Sequence, residues 1–306
     1  AKSDPMCKGL VLWPELSHGD TLITEYLAKN AWDMETPSIA ERTDTYCTDR
    51  YPKDCVAVMQ EVWRRFMPIV QLRAWSSTGE GGDTFVRICD RAQFRDEPYW
   101  LIGRDAADGR DNQPNAVWIL RTLSGLRTDD EMLHRDILDI ARTVLGRYVD
   151  CAIHLAEGLY TAKDPNMYPV MDTAEKLMGA LRDILGSHAD FSLRESLRHM
   201  QAVALTNPNF EITLKNNAEN TYCRSYIYEN AAYLYVPEME ILFSEVKKAF
   251  AQSTEMDRTR IQIRTAQNRE RFFRTPLDEM QPACVPELQK ILTDAADEIE
   301  SIRFAT

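Results

Sequence analysis

Apolar side chains recur at intervals of three and four positions through most of the chain beyond Asn115. That spacing places them on one face of an α-helix, whereas a half-buried strand needs an apolar residue at every second position. The stripes follow one another from Leu133 to Ile299. We therefore predict that residues 116–306 form an all-helical domain, packed as an antiparallel bundle or array, without a β-sheet.

The longest stripe predicts the central helix of that domain. It runs from Asp129 to about Tyr160, and Asp164-Pro165 ends it because proline cannot continue a helix. Further along, a basic tract at 258–274 is predicted to be a helix with a solvated face. Docking of that tract on an acidic neighbour is the alternative.

Composition narrows the classes of function. A chain of 306 residues with 44% apolar and 27% charged residues resembles an ordinary globular protein. Its net charge of −12 argues against nucleic acid and anionic membrane surfaces as partners. No apolar run approaches the roughly 20 residues that span a bilayer. We expect no cofactor, because the sequence has no glycine-rich phosphate loop and no run of metal ligands.

The N-terminal segment has the pattern of a strand followed by a turn and a helix. Residues 9–13 are a short apolar run that stops at Pro14 and Glu15, and a polar turn leads through Asp20 into residues with helical spacing. An α/β barrel presents its catalytic carboxylates at such strand ends. Residues 1–35 are therefore predicted to be one strand and one helix of a barrel, although a solvated turn would also explain Glu15.

Residues 36–115 combine helices with an aromatic and charged loop. Helices are predicted at 36–48 and 54–70, with Trp63 in the core. The loop at 73–112 mixes glycine and aromatic residues with Arg and Asp. Aromatic rings pack on the C–H faces of sugars, and Asp and Arg pair with hydroxyl groups, so the loop is a candidate sugar contact. A structural loop that covers the core is the alternative.

Cysteine and histidine spacing gives no metal site. Cys47 and Cys55 enclose a short polar loop, and either a disulfide or two free thiols would fit. The five histidines are isolated in sequence, and those on predicted helices are expected to be ordinary surface or core residues.

The N-terminal stretch resembles the last catalytic segment of the α-N-acetylglucosaminidases, glycoside hydrolase family 89. That family reads roughly Gly-x-Gly-Met-x-Pro-Glu-Gly-Ile-x-Gln-Asn, followed by a helix that ends in Ala-Trp. Gly9, Pro14, Glu15 and Trp32 match it without a gap. The resemblance implies that Glu15 is the catalytic nucleophile and that residues 1–35 are the end of the α/β barrel. Asp20 stands where the family has Asn, which makes it a candidate substrate contact.

Later segments resemble the helical C-terminal domain of the same family, in the family's own order. Residues 134–144 follow its Asp-Leu-x-Asp-Leu-x-Arg helix. Asn207 begins a segment similar to the family's Asn-x-Arg-x-x-Leu-Thr-x-Trp-Gly, but Lys215 replaces the pocket tryptophan. Tyr222 falls where the family has a pocket tyrosine. The resemblance covers about residues 6–250 and implies that Asn207, Lys215 and Tyr222 bind substrate.

Two functions follow from this resemblance. The first is the C-terminal part of a retaining glycoside hydrolase that acts on terminal α-linked N-acetylglucosamine or a related sugar, with another polypeptide supplying the rest of the barrel and its acid/base. The second is a non-catalytic helical module, derived from that domain, for sugar binding or assembly. The family implies a secreted, periplasmic or lysosome-like protein, and no signal peptide is visible at the start of the sequence.

Overall fold

A computed structural model describes residues 6, 8–9, 11, 21–30, 37–72, 94, 101–200, 207, 209–220, 227–283 and 287–304; for residues 101–107 and 220 it describes the backbone. In these ranges the chain is helical and contains no strand. The helices of seven or more residues are α1 (Thr21–Asn30), α2 (Ile39–Arg50), α3 (Val56–Val70), α4 (Leu101–Gly125), α5 (Glu131–Thr161), α6 (Met167–Gly186), α7 (Leu193–His199), α8 (Phe210–Asn220), α9 (Val236–Gln252), α10 (Arg258–Arg274) and α11 (Leu288–Ser301).

Helix α5 lies at the centre of the fold. The Asp130 side chain caps its first turn by accepting a hydrogen bond from the Leu133 amide at 2.8 Å. Its 31 residues are buried on several sides, because α4 and α6 pack closely against it and α3 also contacts it. A helix buried this widely forms the core itself, whereas a surface helix buries one stripe.

Helices α3, α4, α6 and α11 contact α5, and further helices pack on these. Helix α6 packs between α5, α9 and α11, and α11 also lies along α4. Helix α2 packs against α1 and α3, and its side chains also bond directly to α5. Between α8 and α9 the chain forms a short helical turn, Tyr228–Asn230, and a π-helical turn, Ala231–Tyr235, that runs directly into α9.

Helix α4 begins earlier than the sequence indicated. Residues 101–112 were predicted to belong to the loop, but they form its first turns. Gly109 and Pro114 favour a loop by propensity, yet packing against α5 and the C-terminal segment outweighs that preference. Gly109 is needed there, because a Cβ atom at this position would lie 2.9 Å from Cys151 Sγ and 3.2 Å from Phe304 Cε1.

The sequence-based predictions of the fold have different outcomes. The mainly helical class is confirmed, and in the described residues beyond 115 no strand occurs. Nothing described supports the predicted barrel strand: Val11 has no regular structure and is 83% exposed, while the rest of the run from 10 to 13 lies outside the described residues. Cys47 and Cys55 are two buried free thiols. Trp63 lies in the core as predicted.

Two glycines in helices provide a matched test of this packing. Gly109→Ala should lower the free energy of unfolding by about 1–3 kcal/mol, because the new methyl group overpacks against Cys151 and Phe304. In Gly179→Ala, on α6, the new Cβ atom has no neighbouring atom within 4 Å. This substitution should raise the free energy of unfolding by about 0.5–1 kcal/mol, because alanine has the higher helix propensity. Urea denaturation measures both values. Equal effects of the two substitutions would contradict the described contact between α4, α5 and the C-terminal segment.

Candidate functional site

A buried carboxylate on α5 joins three helices. The Asp136 side chain is 2% exposed. It accepts hydrogen bonds from Arg50 Nε at 2.5 Å and Nη2 at 3.0 Å, from the Tyr51 hydroxyl at 2.7 Å and from the Tyr46 hydroxyl at 3.1 Å. The Trp63 indole N–H in turn donates to the Tyr51 hydroxyl at 2.9 Å. We call these five residues the Asp136 cluster.

The aromatic rings of the Asp136 cluster exclude water from it. Tyr46 packs edge-to-face on Tyr51 and on Trp63, with ring centroids 6.0 and 5.7 Å apart. Burial, reinforced by the negative charge of Asp136, raises the pKa of both tyrosines. Both hydroxyls therefore keep their protons at neutral pH and remain donors to the carboxylate.

The Asp136 cluster extends to the first residue of α1. Thr21 Oγ1 lies 2.8 Å from the Tyr46 hydroxyl oxygen. Because the Tyr46 proton is directed to Asp136, the Thr21 hydroxyl is the donor in this bond. Thr21 directly follows Asp20 in the chain, so a hydrogen-bond chain from α5 holds the residue next to the predicted catalytic turn. Glu15 and Asp20 themselves lie outside the described residues.

A second acidic residue lies one helical turn from the Asp136 cluster. Burial raises the pKa of the Asp139 carboxyl to about 6, although the nearby Arg142 and Arg135 oppose the shift. Arg142 Nε lies 3.5 Å from Asp139 Oδ1. Asp136 and Asp139 are the two acids of the segment at 134–144 that resembles the glycosidase family.

Lys215 is an interior residue. Its side chain is 1% exposed, and its ammonium group lies 2.5 Å from the Thr275 carbonyl oxygen and 2.8 Å from Glu211 Oε1. The same Glu211 oxygen accepts from the Leu277 amide at 2.8 Å. The ammonium thus ties α8 to the end of α10 by hydrogen bonds within the protein. Its predicted contact with substrate stays a prediction.

The other two residues of the predicted sugar pocket are less informative. Asn207 caps the turn before α8, where its Oδ1 accepts from the Asn209 amide at 3.0 Å and its carbonyl oxygen accepts from Phe210 at 3.0 Å. Tyr222 lies outside the described residues. The substrate-binding roles of both stay predictions.

Sequence reasoning missed an ion-pair network that involves the basic tract. Arg269 lies 2.7 Å from Glu219 Oε1 and 2.9 Å from Glu238 Oε1, and both carboxylates are buried. Burial favours a lower pKa for Arg269, but the charges of Glu238 and Glu219 outweigh it and raise the pKa. Arg260 likewise pairs with the buried Glu245 at 3.0 Å. The tract therefore docks on acidic neighbours in its own chain. No spacing in the sequence marks these acids as buried.

Phe94 is the described residue of the loop between 73 and 100. Its ring is buried and packs edge-to-face against Tyr160 and Phe243, with centroids 5.7 and 6.1 Å away. Its amide donates to the buried carboxylate of Glu157 at 2.8 Å. At this residue the segment covers the core, as the structural alternative predicted. The predicted sugar contact of the other loop residues stays a prediction.

Comparison with known proteins does not identify a family: no protein-family model matches the chain, and no curated protein sequence matches it. In the described part of the chain, no helix is both long and apolar enough to cross a membrane. The same residues contain no group of three or more His, Cys, Asp or Glu side chains placed to bind a metal ion.

Removal of one hydroxyl group tests the hydrogen-bond chain from α5 to α1. Tyr46→Phe should cost about 1–2 kcal/mol of stability, because Asp136 loses a buried donor and Thr21 loses its acceptor. Amide hydrogen exchange should speed up in α1, because Tyr46 bonds to the first residue of that helix, and it should stay slow in α6. Tyr148→Phe is the matched control, since it removes a buried hydroxyl that donates to the Gly109 carbonyl at 2.9 Å. If both variants affected α1 equally, Tyr46 would have no specific role there.

Proposed function

We propose that this chain is the C-terminal part of a retaining glycoside hydrolase similar to the α-N-acetylglucosaminidases, with Glu15 as its nucleophile. The observation that carries the proposal is the hydrogen-bond chain from Asp136 through Tyr46 to Thr21. It links the family-like helix of the domain to the residue that follows the family-like catalytic turn. Two segments selected by the same resemblance are thereby joined in space.

The physical demands of a nucleophilic carboxylate fit this arrangement. A retaining glycosidase needs two carboxyl groups about 5–5.5 Å apart, one to attack the anomeric carbon and one to protonate the leaving group. Such a separation requires rigid support, since catalytic groups must be held to within about 0.5 Å. The Asp136 cluster supports Thr21, the residue that follows the predicted turn, and this support is rigid because the hydrogen bonds of the cluster are buried and its rings are closely packed.

The second carboxyl group and the rest of the barrel would come from polypeptide outside residues 1–306. Exposed apolar side chains near the N-terminal end support such a partner. Ile23 and Leu27 are 49% and 47% exposed and lie one turn apart on α1, and Val11 and Ile39 are also exposed. Among the described residues, half of the large exposed apolar side chains belong to positions 6–39. Ile23 and Leu27 would give such a partner an apolar contact on α1.

Replacement of the proposed nucleophile tests the function. In the assembly that contains the whole barrel, Glu15→Gln keeps the side-chain size and removes the attacking carboxylate. Turnover of an aryl α-N-acetylglucosaminide should fall by at least about 10³-fold, while the melting temperature stays nearly unchanged. Glu131→Gln, an exposed position at the start of α5, is the matched control and should keep full activity. Full activity of Glu15→Gln would overturn the assignment.

The 306-residue chain alone should show no turnover, since it lacks the acid/base of the barrel. Native mass spectrometry of the tagged chain, purified from cells that make the whole protein, should reveal a partner of barrel size. Activity in the isolated chain would mean that one of its own carboxylates, with Asp20 the nearest to Glu15 in sequence, fills the missing role.

One observation favours the non-catalytic module. Lys215 stands where the family has its pocket tryptophan, and its ammonium is bonded inside the protein to Thr275 and Glu211. This position therefore presents no aromatic face to a sugar. A stable isolated chain that binds sugar but lacks a barrel partner would favour the module over the split enzyme.

A further inference from the structure

A hollow between α4 and α11 lies on helices that contribute nothing to the Asp136 cluster. Its volume is about 680 Å³, within the range of small-molecule sites. Pro114, Val117 and Trp118 of α4 give it apolar walls, and Thr122, Glu300 and Arg303 are among its polar lining residues. We call it the Trp118 hollow.

The indole ring of Trp118 is held in one orientation. The Arg65 guanidinium lies over the ring, 4.5 Å from its centroid. Arg65 is fixed in turn by Glu61 Oε1 at 2.6 Å and by Asn115 Oδ1 at 3.4 Å. A half-buried tryptophan that is already ordered loses little conformational entropy when a ligand packs against it.

The frame of the hollow is also rigid. Gln113 Nε2 donates to the carbonyl oxygens of Ile299 at 2.7 Å and Ile302 at 3.0 Å, which fastens the end of α11 to the middle of α4. Arg121 adds ion pairs to Asp297 at 2.8 Å and Glu300 at 2.7 Å. The walls therefore keep their spacing without a ligand, as a preformed site requires.

Three residues that line the hollow carry side-chain polar groups with no hydrogen-bond partner in the described part of the chain. They are the indole N–H of Trp118, the hydroxyl of Thr122 and the guanidinium of Arg303. Each is a donor, and the carboxylate of Glu300 adds an acceptor on the same rim. The two arginines, Arg121 and Arg303, and the two acids, Asp297 and Glu300, sum to zero net charge, so the surroundings do not select strongly for an ion.

We infer that the Trp118 hollow binds a neutral oligosaccharide. A pyranose ring has an apolar C–H face that suits an indole ring, and its hydroxyl groups accept from free donors and donate to a carboxylate. The open shape of the hollow admits one or two residues of a longer chain. This binding site goes beyond the proposed glycosidase activity and does not depend on it, since Glu15 and the missing barrel take no part.

Binding of two neutral β-linked probes, cellotetraose and tetra-N-acetylchitotetraose, tests the inference by saturation-transfer NMR and tryptophan fluorescence. Neither has the α-linkage of the proposed substrate, so the result is independent of catalysis. At least one probe should bind with a Kd of about 0.1–5 mM, typical of a small contact with few hydrogen bonds. Trp118→Ala should weaken binding at least about tenfold.

Rim variants keep the test valid if Trp118→Ala fails to fold. Thr122→Val removes a donor that has no described partner, and Arg303→Gln replaces a charged group of five donors with a shorter, neutral amide. Each substitution should weaken binding about three- to tenfold. Arg127→Gln is the matched control: it removes an exposed arginine that pairs with Glu287 away from the hollow, and binding should not change. Absence of saturable binding of both probes to the wild-type protein, or unchanged affinity in the rim variants, would overturn the inference.

Discussion

The attachment of the N-terminal helices depends on the buried carboxylate of Asp136. Isolation of the Asp136 carboxylate from water would cost several kcal/mol if it lacked partners. Arg50, Tyr46 and Tyr51 together supply four hydrogen bonds, and two of these come from one guanidinium in a bidentate pair. Because the donors lie on α2 and directly after it, the N-terminal helices must dock on α5 at one position and in one orientation. Apolar packing alone would fix that orientation less strictly.

This constraint gives the N-terminal segment a defined place on the helical domain. Thr21 begins α1 and is bonded to Tyr46, so the first residue of α1 is held against the domain. If Glu15 is the nucleophile, the domain contributes to catalysis by positioning the turn, while the exposed apolar face of α1 remains for the rest of the barrel. The Trp118 hollow lies on other helices, so the oligosaccharide binding that we propose there is separate from the proposed chemistry.

The helices could be predicted from the sequence, because apolar spacing near 3.6 residues directly reflects one-sided burial. The buried ionic groups could not. Asp136, Glu238 and Arg269 are the same residue types that cover the surface, and only the fold decides which of them find partners inside. The prediction of a loop at residues 101–112 was wrong for a similar reason. Gly109 lowers helix propensity locally, but α4 needs a residue without a side chain there, because Cys151 of α5 lies so close. For Glu15, the prediction rests on the strand–turn–helix pattern and on the resemblance, and Glu15 itself lies outside the described residues.

The most direct measurement of the central claim identifies the nucleophile chemically. The complete assembly would be incubated with a 5-fluoro-α-N-acetylglucosaminyl fluoride, which forms the covalent glycosyl-enzyme intermediate of a retaining enzyme but hydrolyses from it slowly. Proteolysis and mass spectrometry would then locate the adduct. We predict a single glycosylated peptide that contains residues 9–20, with the sugar esterified to Glu15. An adduct on any other carboxylate, or turnover of the probe without an adduct, would contradict the account.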